Sequence, residues 1–299
     1  MQIVRIWPFN SVLCLLILIC VRCSLSSTHQ ESQTPHQDRI HSTVWAKGQG
    51  LQQVESIIFD HENLVFYASN GQAYAVGHDG FLSKLSETGD LLDLKWIDSL
   101  SRPTGMAIYQ GKLYVADVNV LLIIDIKAET IIARIPEPIK GSGLNDVAVD
   151  EKGEVFVTAS FVHAVFKLEQ QQLTLWLQDE EQLAWANGLI LEQEHLLVAG
   201  LKLAKIERQT KRIATLVPKD SVEDFDGIAS DGAGGYFLTT VARRALWHMD
   251  KELSIHPLDT GVAYFGDIEY LSDIDQLWVP RGNHRTQAYF MSVYEGISK

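Results

Sequence analysis

The stretch "GLNDVAVDEKGEVFVTAS", residues 143–160, has the pattern of a β-hairpin. Two apolar runs flank residues 150–153, Asp-Glu-Lys-Gly, which are residue types that favour a tight turn. An Asn-Asp pair, Asn145 and Asp146, stands directly ahead of the first run. Such a pair is common at strand ends, because Asn and Asp side chains bond their own backbone. The pair therefore either caps a strand or belongs to a site.

The first half of this hairpin recurs along the chain. Each copy has a variable residue, then a small or acidic residue, then alternating apolar positions. The six copies are "ESIIF" from Glu55, "TGMAI" from Thr104, "NDVAV" from Asn145, "NGLIL" from Asn187, "DGIAS" from Asp226 and "GDIEY" from Gly266. A second apolar run follows each copy after about ten residues, and third and fourth runs follow in most copies. No stretch shows a sustained helical period.

Four short strands in every 40 or so residues are typical of a β-propeller blade. We therefore predict an all-β fold, a six-bladed β-propeller with four antiparallel strands per blade. The sixth copy has only three runs before the chain ends, so we predict that an N-terminal strand at about residues 42–47 completes this blade and closes the ring. The alternative is a β-sandwich with chance similarity, which six copies in phase make the weaker interpretation.

The beginning of the chain has a different composition. Arg5 precedes an apolar run at residues 12–21, and small polar residues follow it. A run of about ten residues is too short to span a bilayer, which takes roughly 20. We predict a signal peptide at residues 1–27, a polar linker at 28–42 and the propeller at 43–299, and hence a secreted or periplasmic protein. An uncleaved membrane anchor is the alternative.

Cysteine positions and net charge limit the classes of partner. Cys14, Cys20 and Cys23 all lie in the predicted signal peptide, so the mature chain would have no disulfide and would depend on core burial. The net charge of −13 repels phosphate backbones and anionic lipid. We expect no nucleic-acid partner, no membrane insertion of the mature chain, and a monomer.

The residue that opens each copy of the repeat is a candidate site residue. The first strand of each propeller blade lines the central channel, so these residues should share one channel mouth. They are Glu55, Thr104, Asn145, Asn187, Asp226 and Gly266. Four of the six carry carboxylate or carboxamide oxygens, which hard cations prefer. We predict one divalent cation, Ca²⁺ first, with Mg²⁺, Mn²⁺ or Zn²⁺ as alternatives.

Turn capping is the competing interpretation of these positions. Asn187-Gly188 and Asp226-Gly227 are common turn pairs, whereas Glu55 is a weak turn former. Asp146 occupies the same slot as these glycines, so we expect it to be a turn residue. Trp185, two residues ahead of Asn187, either walls a pocket or packs structurally.

Several segments also resemble a known family. "VESIIFD", "GLNDVAVDEKGEVFV", "WANGLIL" and "DFDGIASDGAGGYFL" are similar to the senescence marker protein/gluconolactonase/luciferin-regenerating enzyme family, and the likeness covers about residues 45–295. The resemblance implies a six-bladed propeller with one divalent metal in its channel. It assigns metal binding to Glu55, Asn187 and Asp226, makes Asp226 also the catalytic general base, and makes Asn145 a substrate contact.

One position departs from that family. Members that hydrolyse sugar lactones carry an Arg two residues ahead of the Asn that matches Asn145, and this chain has Gly143 there. An Arg makes several directed hydrogen bonds to substrate, and Gly makes none through a side chain. The metal site is compatible with this change, but an aldonolactone substrate is not supported.

These observations predict a divalent-metal-dependent hydrolase of a small lactone or ester. The cation would polarise the carbonyl and lower the pKa of a bound water, Asp226 would orient or deprotonate that water, and Asn145 would hold substrate oxygens. No G-x-S-x-G, H-E-x-x-H or P-loop motif offers another chemistry. The alternative is a non-catalytic extracytoplasmic propeller that binds a protein or glycan partner. An open cavity above the ring residues favours the enzyme, and a plugged one favours the scaffold.

Overall fold

The computed structural model describes residues 41–297. The predicted signal peptide and residues 28–40 of the predicted linker lie outside this range. The described residues form β-strands and no α-helix, apart from one turn of 3-10 helix at Ser160–Val162. None of their helical segments has the length and apolar character needed to cross a bilayer. The strands form six antiparallel sheets, five of four strands and one of five, which confirms the predicted six-bladed propeller.

The strands of the first three blades have the following bounds. Blade 1 consists of β2 (Ile57–Asp60), β3 (Val65–Asn70), β4 (Gly80–Ser86) and β5 (Leu91–Leu100). Blade 2 consists of β6 (Pro103–Tyr109), β7 (Lys112–Asp117), β8 (Val120–Asp125) and β9 (Thr130–Pro136). Blade 3 consists of β10 (Leu144–Val149), β11 (Val155–Ala159), β12 (Ala164–Glu169) and β13 (Gln172–Gln178).

The other three blades complete the ring. Blade 4 consists of β14 (Leu189–Glu192), β15 (His195–Val198), β16 (Leu203–Glu207) and β17 (Ile213–Leu216). Blade 5 consists of β18 (Phe225–Ser230), β19 (Tyr236–Thr240), β20 (Ala245–Met249) and β21 (Ile255–Thr260). Blade 6 consists of β1 (His41–Trp45), β22 (Tyr264–Phe265), β23 (Glu269–Leu271), β24 (Gln276–Asn283) and β25 (Ala288–Glu295).

The first strand of each blade lies on the inside of the ring. In blades 1 to 5 the strands pair in chain order, so the first strand is at one edge of its sheet. Each of these edge strands contacts the corresponding strand of the next blade, and β23 of blade 6 contacts both β18 and β2. The inner strands therefore form a closed circle, and the residues at or just before their N-terminal ends line one mouth of the channel.

The N-terminal strand closes the ring, as predicted. β1 pairs antiparallel with β25, with His41 opposite Glu295 and Trp45 opposite Met291. It ends at Trp45, two residues before the predicted end. The inner strand of blade 6 is interrupted between β22 and β23. Gly266 lies in this gap and packs against the backbone of Glu55, and a Cβ at this position would lie 2.2 Å from the carbonyl oxygen of Glu55.

Aromatic packing fixes β1 to the neighbouring blade. Trp278 of blade 6 is almost fully buried and lies between Phe66 of blade 1, with a ring separation of 4.1 Å, and Trp45, with a ring separation of 6.0 Å. Gly89 of blade 1 leaves room for the indole of Trp45, since a Cβ there would come within 2.5 Å of it. This cluster makes the closing strand part of a buried core between blades 6 and 1.

Candidate functional site

All six residues that open the repeats line one cavity at the channel mouth. Its volume is about 320 Å³, and Glu55, Thr104, Asn145, Asn187, Asp226 and Gly266 all contribute to its wall. Val241 on its rim is 51% exposed, and the four carboxylate and carboxamide side chains are each partly exposed. The cavity is therefore open to solvent, and the sequence repeat correctly identified these four polar residues as neighbours.

Glu55 is held by its backbone and leaves its carboxylate free. Its N–H donates to the carbonyl of Ser69 at 3.1 Å, and its carbonyl accepts from the N–H of Asp267 at 2.7 Å. Within residues 41–297 no donor reaches the carboxylate, although Oε2 is fully buried. Burial, followed by the charge of Asp226, raises the pKa of this carboxyl group well above its usual range.

Asn187 and Asp226 are joined by hydrogen bonds across the boundary between blades 4 and 5. Nδ2 of Asn187 donates to Oδ1 of Asp226, and the N–H of Gly188 donates to the backbone carbonyl of Asp226 at 2.9 Å. Burial and the charge of Asp267 raise the pKa of Asp226 to about 7, while the bond from Asn187 acts in the opposite direction. In the described part of the chain, Oδ1 of Asn187 and Oδ2 of Asp226 receive no hydrogen bond.

The carboxamide of Asn145 is oriented by Ser160, which follows β11 in the same blade. Its Nδ2 donates to Oγ of Ser160 at 3.1 Å, and that hydroxyl donates to the carbonyl of Ala186 at 2.7 Å. The backbone carbonyl of Asn145 accepts from the Thr104 hydroxyl at 2.5 Å. These bonds fix the carboxamide and leave its oxygen and one of its N–H groups available to a ligand.

The next residue of each repeat forms a second ring, in which Asp146 differs from expectation. Asp146 is not a turn residue, because it lies within β10 and its carboxylate accepts from the N–H groups of Leu189 at 2.6 Å and Val147 at 2.7 Å. It joins blade 3 to blade 4. Gly105 of blade 2 packs directly onto it, since a Cβ there would lie 1.8 Å from Oδ1 of Asp146.

Carboxylates continue along the channel below the mouth. A second cavity of about 430 Å³ is lined by residues of the inner strands, including Asp146, Asp267 and Glu269. Burial raises the pKa of Asp267 to about 6, and burial together with the charge of Asp267 raises the pKa of Glu269 to about 8. These carboxyl groups therefore keep their protons to a higher pH than ordinary ones.

Arg102 and His284 are among the cavity residues that were not anticipated from the sequence. Arg102, which is 8% exposed, lines the cavity from the segment ahead of β6. His284 reaches it from the loop between β24 and β25 and stacks on Tyr264 with a ring separation of 5.2 Å. Arg102 stands two residues ahead of Thr104, the same spacing as Gly143 to Asn145, so applying that spacing to every blade would have found it.

An aromatic group occupies the rim beside Gly143. Gly143 has a φ of +65°, and a Cβ there would lie 2.7 Å from the ring of Phe161. That ring packs edge-to-face against Tyr74 at 5.5 Å and Trp185 at 5.9 Å. Trp185 is 55% exposed and stands outside the cavity wall. The Tyr74 hydroxyl donates to the carbonyl of Leu144 at 2.6 Å, which ties the loop after β3 to blade 3.

The cavity residues suit a hard cation. Within residues 41–297 no three His, Cys, Asp or Glu side chains are grouped as metal ligands, so the candidate donors combine two carboxylates with two carboxamides. Ca²⁺ takes both kinds of oxygen, in variable geometry. The buried Oε2 of Glu55 has no hydrogen-bond partner, and a cation would compensate for its loss of hydration. The residues present therefore fit the predicted cation.

Comparison with known proteins supports the fold. No family model and no curated protein matches the sequence. Among solved structures, a luciferin-regenerating enzyme is 15% identical to this chain with a TM-score of 0.63. The superposition covers 86% of this chain and 96% of the enzyme. Virginiamycin B lyase from Staphylococcus aureus is 11% identical with a TM-score of 0.61, and the coverages are 86% and 99%.

A streptogramin B lyase structure is 12% identical to this chain with a TM-score of 0.60. The superposition covers 86% of this chain and 97% of the lyase. At these identities the similarity shows a shared six-bladed β-propeller fold. The structures with this fold include enzymes, whereas membership of the senescence marker protein family stays a prediction from sequence.

Proposed function

We propose that the protein is a divalent-metal-dependent hydrolase of a lactone or ester. Glu55, Asn187 and Asp226 hold the cation, Ca²⁺ in the first instance, and Asn145 contacts the substrate. The observation that carries this proposal is the convergence of their oxygen atoms, none of which is used fully by protein donors, on one solvent-open cavity. When bound, the cation supplies electrophilic activation of the carbonyl and of a water molecule.

The protein groups have separate tasks in this reaction. The bond from Asn187 fixes one oxygen of Asp226 and leaves the other to accept a proton from the attacking water. The free N–H of Asn145 donates to a substrate oxygen, and its bond to Ser160 keeps it in position.

The test is hydrolysis by protein that starts near Thr28 and has been treated with chelator. Ca²⁺, Mg²⁺, Mn²⁺ or Zn²⁺ is then added singly, with a panel of γ- and δ-lactones and aryl esters as substrates. We expect one cation to restore turnover. Asp226→Asn should lower kcat by about a hundredfold or more, with an unchanged circular dichroism spectrum.

Asp220→Asn is the matched control, because Asp220 is exposed and lies outside the cavity wall. Absence of turnover across the whole panel in cation-loaded protein would contradict the proposal. That result would leave the non-catalytic propeller, which binds a protein or glycan partner, as the interpretation.

A further inference from the structure

Arg102 differs from the other buried arginine of residues 41–297 in its charge partner. Arg281 forms an ion pair with Asp259 at 2.8 Å. Among residues 41–297, no carboxylate oxygen lies within 4.0 Å of the Arg102 guanidinium, which makes a single hydrogen bond, to the carbonyl of Pro103 at 3.3 Å. Its other N–H groups have no partner among these residues and are not fully buried, so a ligand in the cavity can reach them.

The protein holds Arg102 firmly against the cavity wall. Its N–H donates to Oδ1 of Asp117 at 2.7 Å, and the N–H of Ser101 donates to Oδ2 at 3.0 Å. Both oxygens of Asp117 are thus bonded to backbone rather than to the guanidinium. The stem packs against Gly71, where a Cβ would lie 2.8 Å from Cδ of Arg102. Side-chain entropy is therefore lost on folding, before any ligand binds.

Arg102 is the one Lys or Arg among the described residues that line the cavity, and Glu55, Asp226 and Tyr264 line the same space. The carboxylates of Glu55 and Asp226 are assigned to the cation in the proposed function. Arg102 therefore offers the positive charge with which an anionic group on the substrate would pair.

We infer that Arg102 is a specificity-determining residue that binds a carboxylate on the substrate, so that the substrate is a lactone or ester of a carboxylate-bearing compound. This inference rests on the proposed hydrolase function and adds the substrate class. The fork of the guanidinium pairs with both oxygens of a carboxylate, a geometry that Lys does not reproduce. Arg102 takes this position from blade 2, whereas the packing of Phe161 beside Gly143 leaves little room for a side chain on blade 3.

The experiment compares two substrates that differ in one charge. They are para-acetoxybenzoate and its neutral isostere para-acetoxybenzamide, assayed with Ca²⁺-loaded protein. We expect wild type to favour the carboxylate in kcat/KM, and Arg102→Gln to lower the ratio of the two kcat/KM values about tenfold or more, mainly through KM. The ratio for Arg102→Lys should lie between those of wild type and Arg102→Gln. The Lys variant replaces the Gln variant in the experiment if Arg102→Gln does not fold. Arg212→Gln, whose side chain is 83% exposed, is the matched control.

A binding measurement separates this inference from the proposed function. Titration calorimetry at saturating Ca²⁺ with the product para-hydroxybenzoate should show affinity that falls about tenfold or more in Arg102→Gln. The inference is wrong if the Arg102 variants keep both the ratio of kcat/KM values and the affinity for para-hydroxybenzoate within about twofold of wild type. This holds whether or not esters are hydrolysed. If no ester is hydrolysed but benzoate binding depends on Arg102, the hydrolase proposal fails and the anion site stands.

Discussion

The side-chain amide of Asn187 donates a hydrogen bond to the carboxylate of Asp226, so the N-terminal ends of the inner strands of blades 4 and 5 are joined inside the cavity. The bond uses one oxygen of Asp226 and neither lone pair of the Asn187 oxygen. Two oxygen donors are therefore positioned before any ligand arrives. Such preorganisation reduces the entropy lost when a cation binds.

Glu55→Gln tests two effects of the Glu55 carboxylate on stability, namely the cost of burying it in metal-free protein and its contribution to stabilisation by a bound cation. Removal of a buried charge without a hydrogen-bond partner should stabilise metal-free protein at pH 8 by about 1–3 kcal/mol. The same substitution should reduce the rise of Tm on addition of Ca²⁺, because the stabilisation by a ligand becomes smaller as its affinity for the folded state falls. Thermal unfolding in chelator and in Ca²⁺ measures both effects.

Glu87→Gln, at an exposed position away from the cavity, should change neither quantity. An equal rise of Tm in Glu55→Gln and wild type would remove Glu55 from the cation site.

Glu269 should make metal-free protein less stable as pH rises. Burial and the charge of Asp267 raise its pKa from an ordinary 4.5 to about 8, so between these values the folded state keeps a proton that the unfolded state has lost. The free energy of unfolding then falls with increasing pH, by at most about 1.4 kcal/mol per pH unit for this one group. Glu269→Gln should therefore be more stable than wild type at pH 8 and close to it at pH 4.5.

Urea denaturation in chelator at several pH values measures this difference. If wild type and Glu269→Gln show parallel stability curves across this interval, then Glu269 does not hold its proton in the folded state.

Introduction of an arginine at position 143 should fail for steric reasons. Gly143→Arg forces a side chain onto a backbone with φ of +65°, at a cost of about 1–2 kcal/mol, and its Cβ meets the ring of Phe161. The double variant Gly143→Arg with Phe161→Ala removes the contact but not the backbone strain. Its Tm should recover part of the loss, relative to Phe161→Ala alone. A single variant as stable as wild type would show that Phe161 moves aside freely.

Two neighbouring residues of β1 test the closure of the ring. Trp45 packs on Trp278, whereas Val44 is 55% exposed. Trp45→Ala should lower the free energy of unfolding by about 2 kcal/mol or more, and Val44→Ala by no more than about 0.5 kcal/mol. Urea unfolding of the two variants gives the comparison. Equal losses would mean that β1 contributes backbone pairing and little core.

The repeat allowed the fold and the polar cavity wall to be predicted together. A period of about 40 residues places equivalent residues at equivalent heights in the ring, so Glu55, Asn187 and Asp226 were expected at one mouth and lie there. The closing strand was predicted from a missing fourth strand in the last blade. These are properties of periodicity, which a single sequence displays.

Residues whose position depends on contacts between blades were not predictable in this way. Asp146 was expected at a turn, because its preference for turns is a local property, whereas its bond to the N–H of Leu189 is a tertiary one. Arg102 precedes its repeat, and its burial depends on Gly71 of another blade. The loop between β3 and β4 contains Tyr74, whose hydroxyl donates to the carbonyl of Leu144. This loop has no counterpart of equal length in the other blades.

The pairing of β1 with β25 also imposes an order on folding. His41 pairs with Glu295, so the partners of this strand are the last part of the described chain to leave the ribosome. The first strand of the described residues must remain unpaired until all the other blades have been made. Contacts so distant in sequence form slowly, and an unpaired edge is prone to intermolecular association in the meantime. Closing the ring with its two ends therefore leaves the edge of β1 exposed for longer during synthesis than the strands of the other blades.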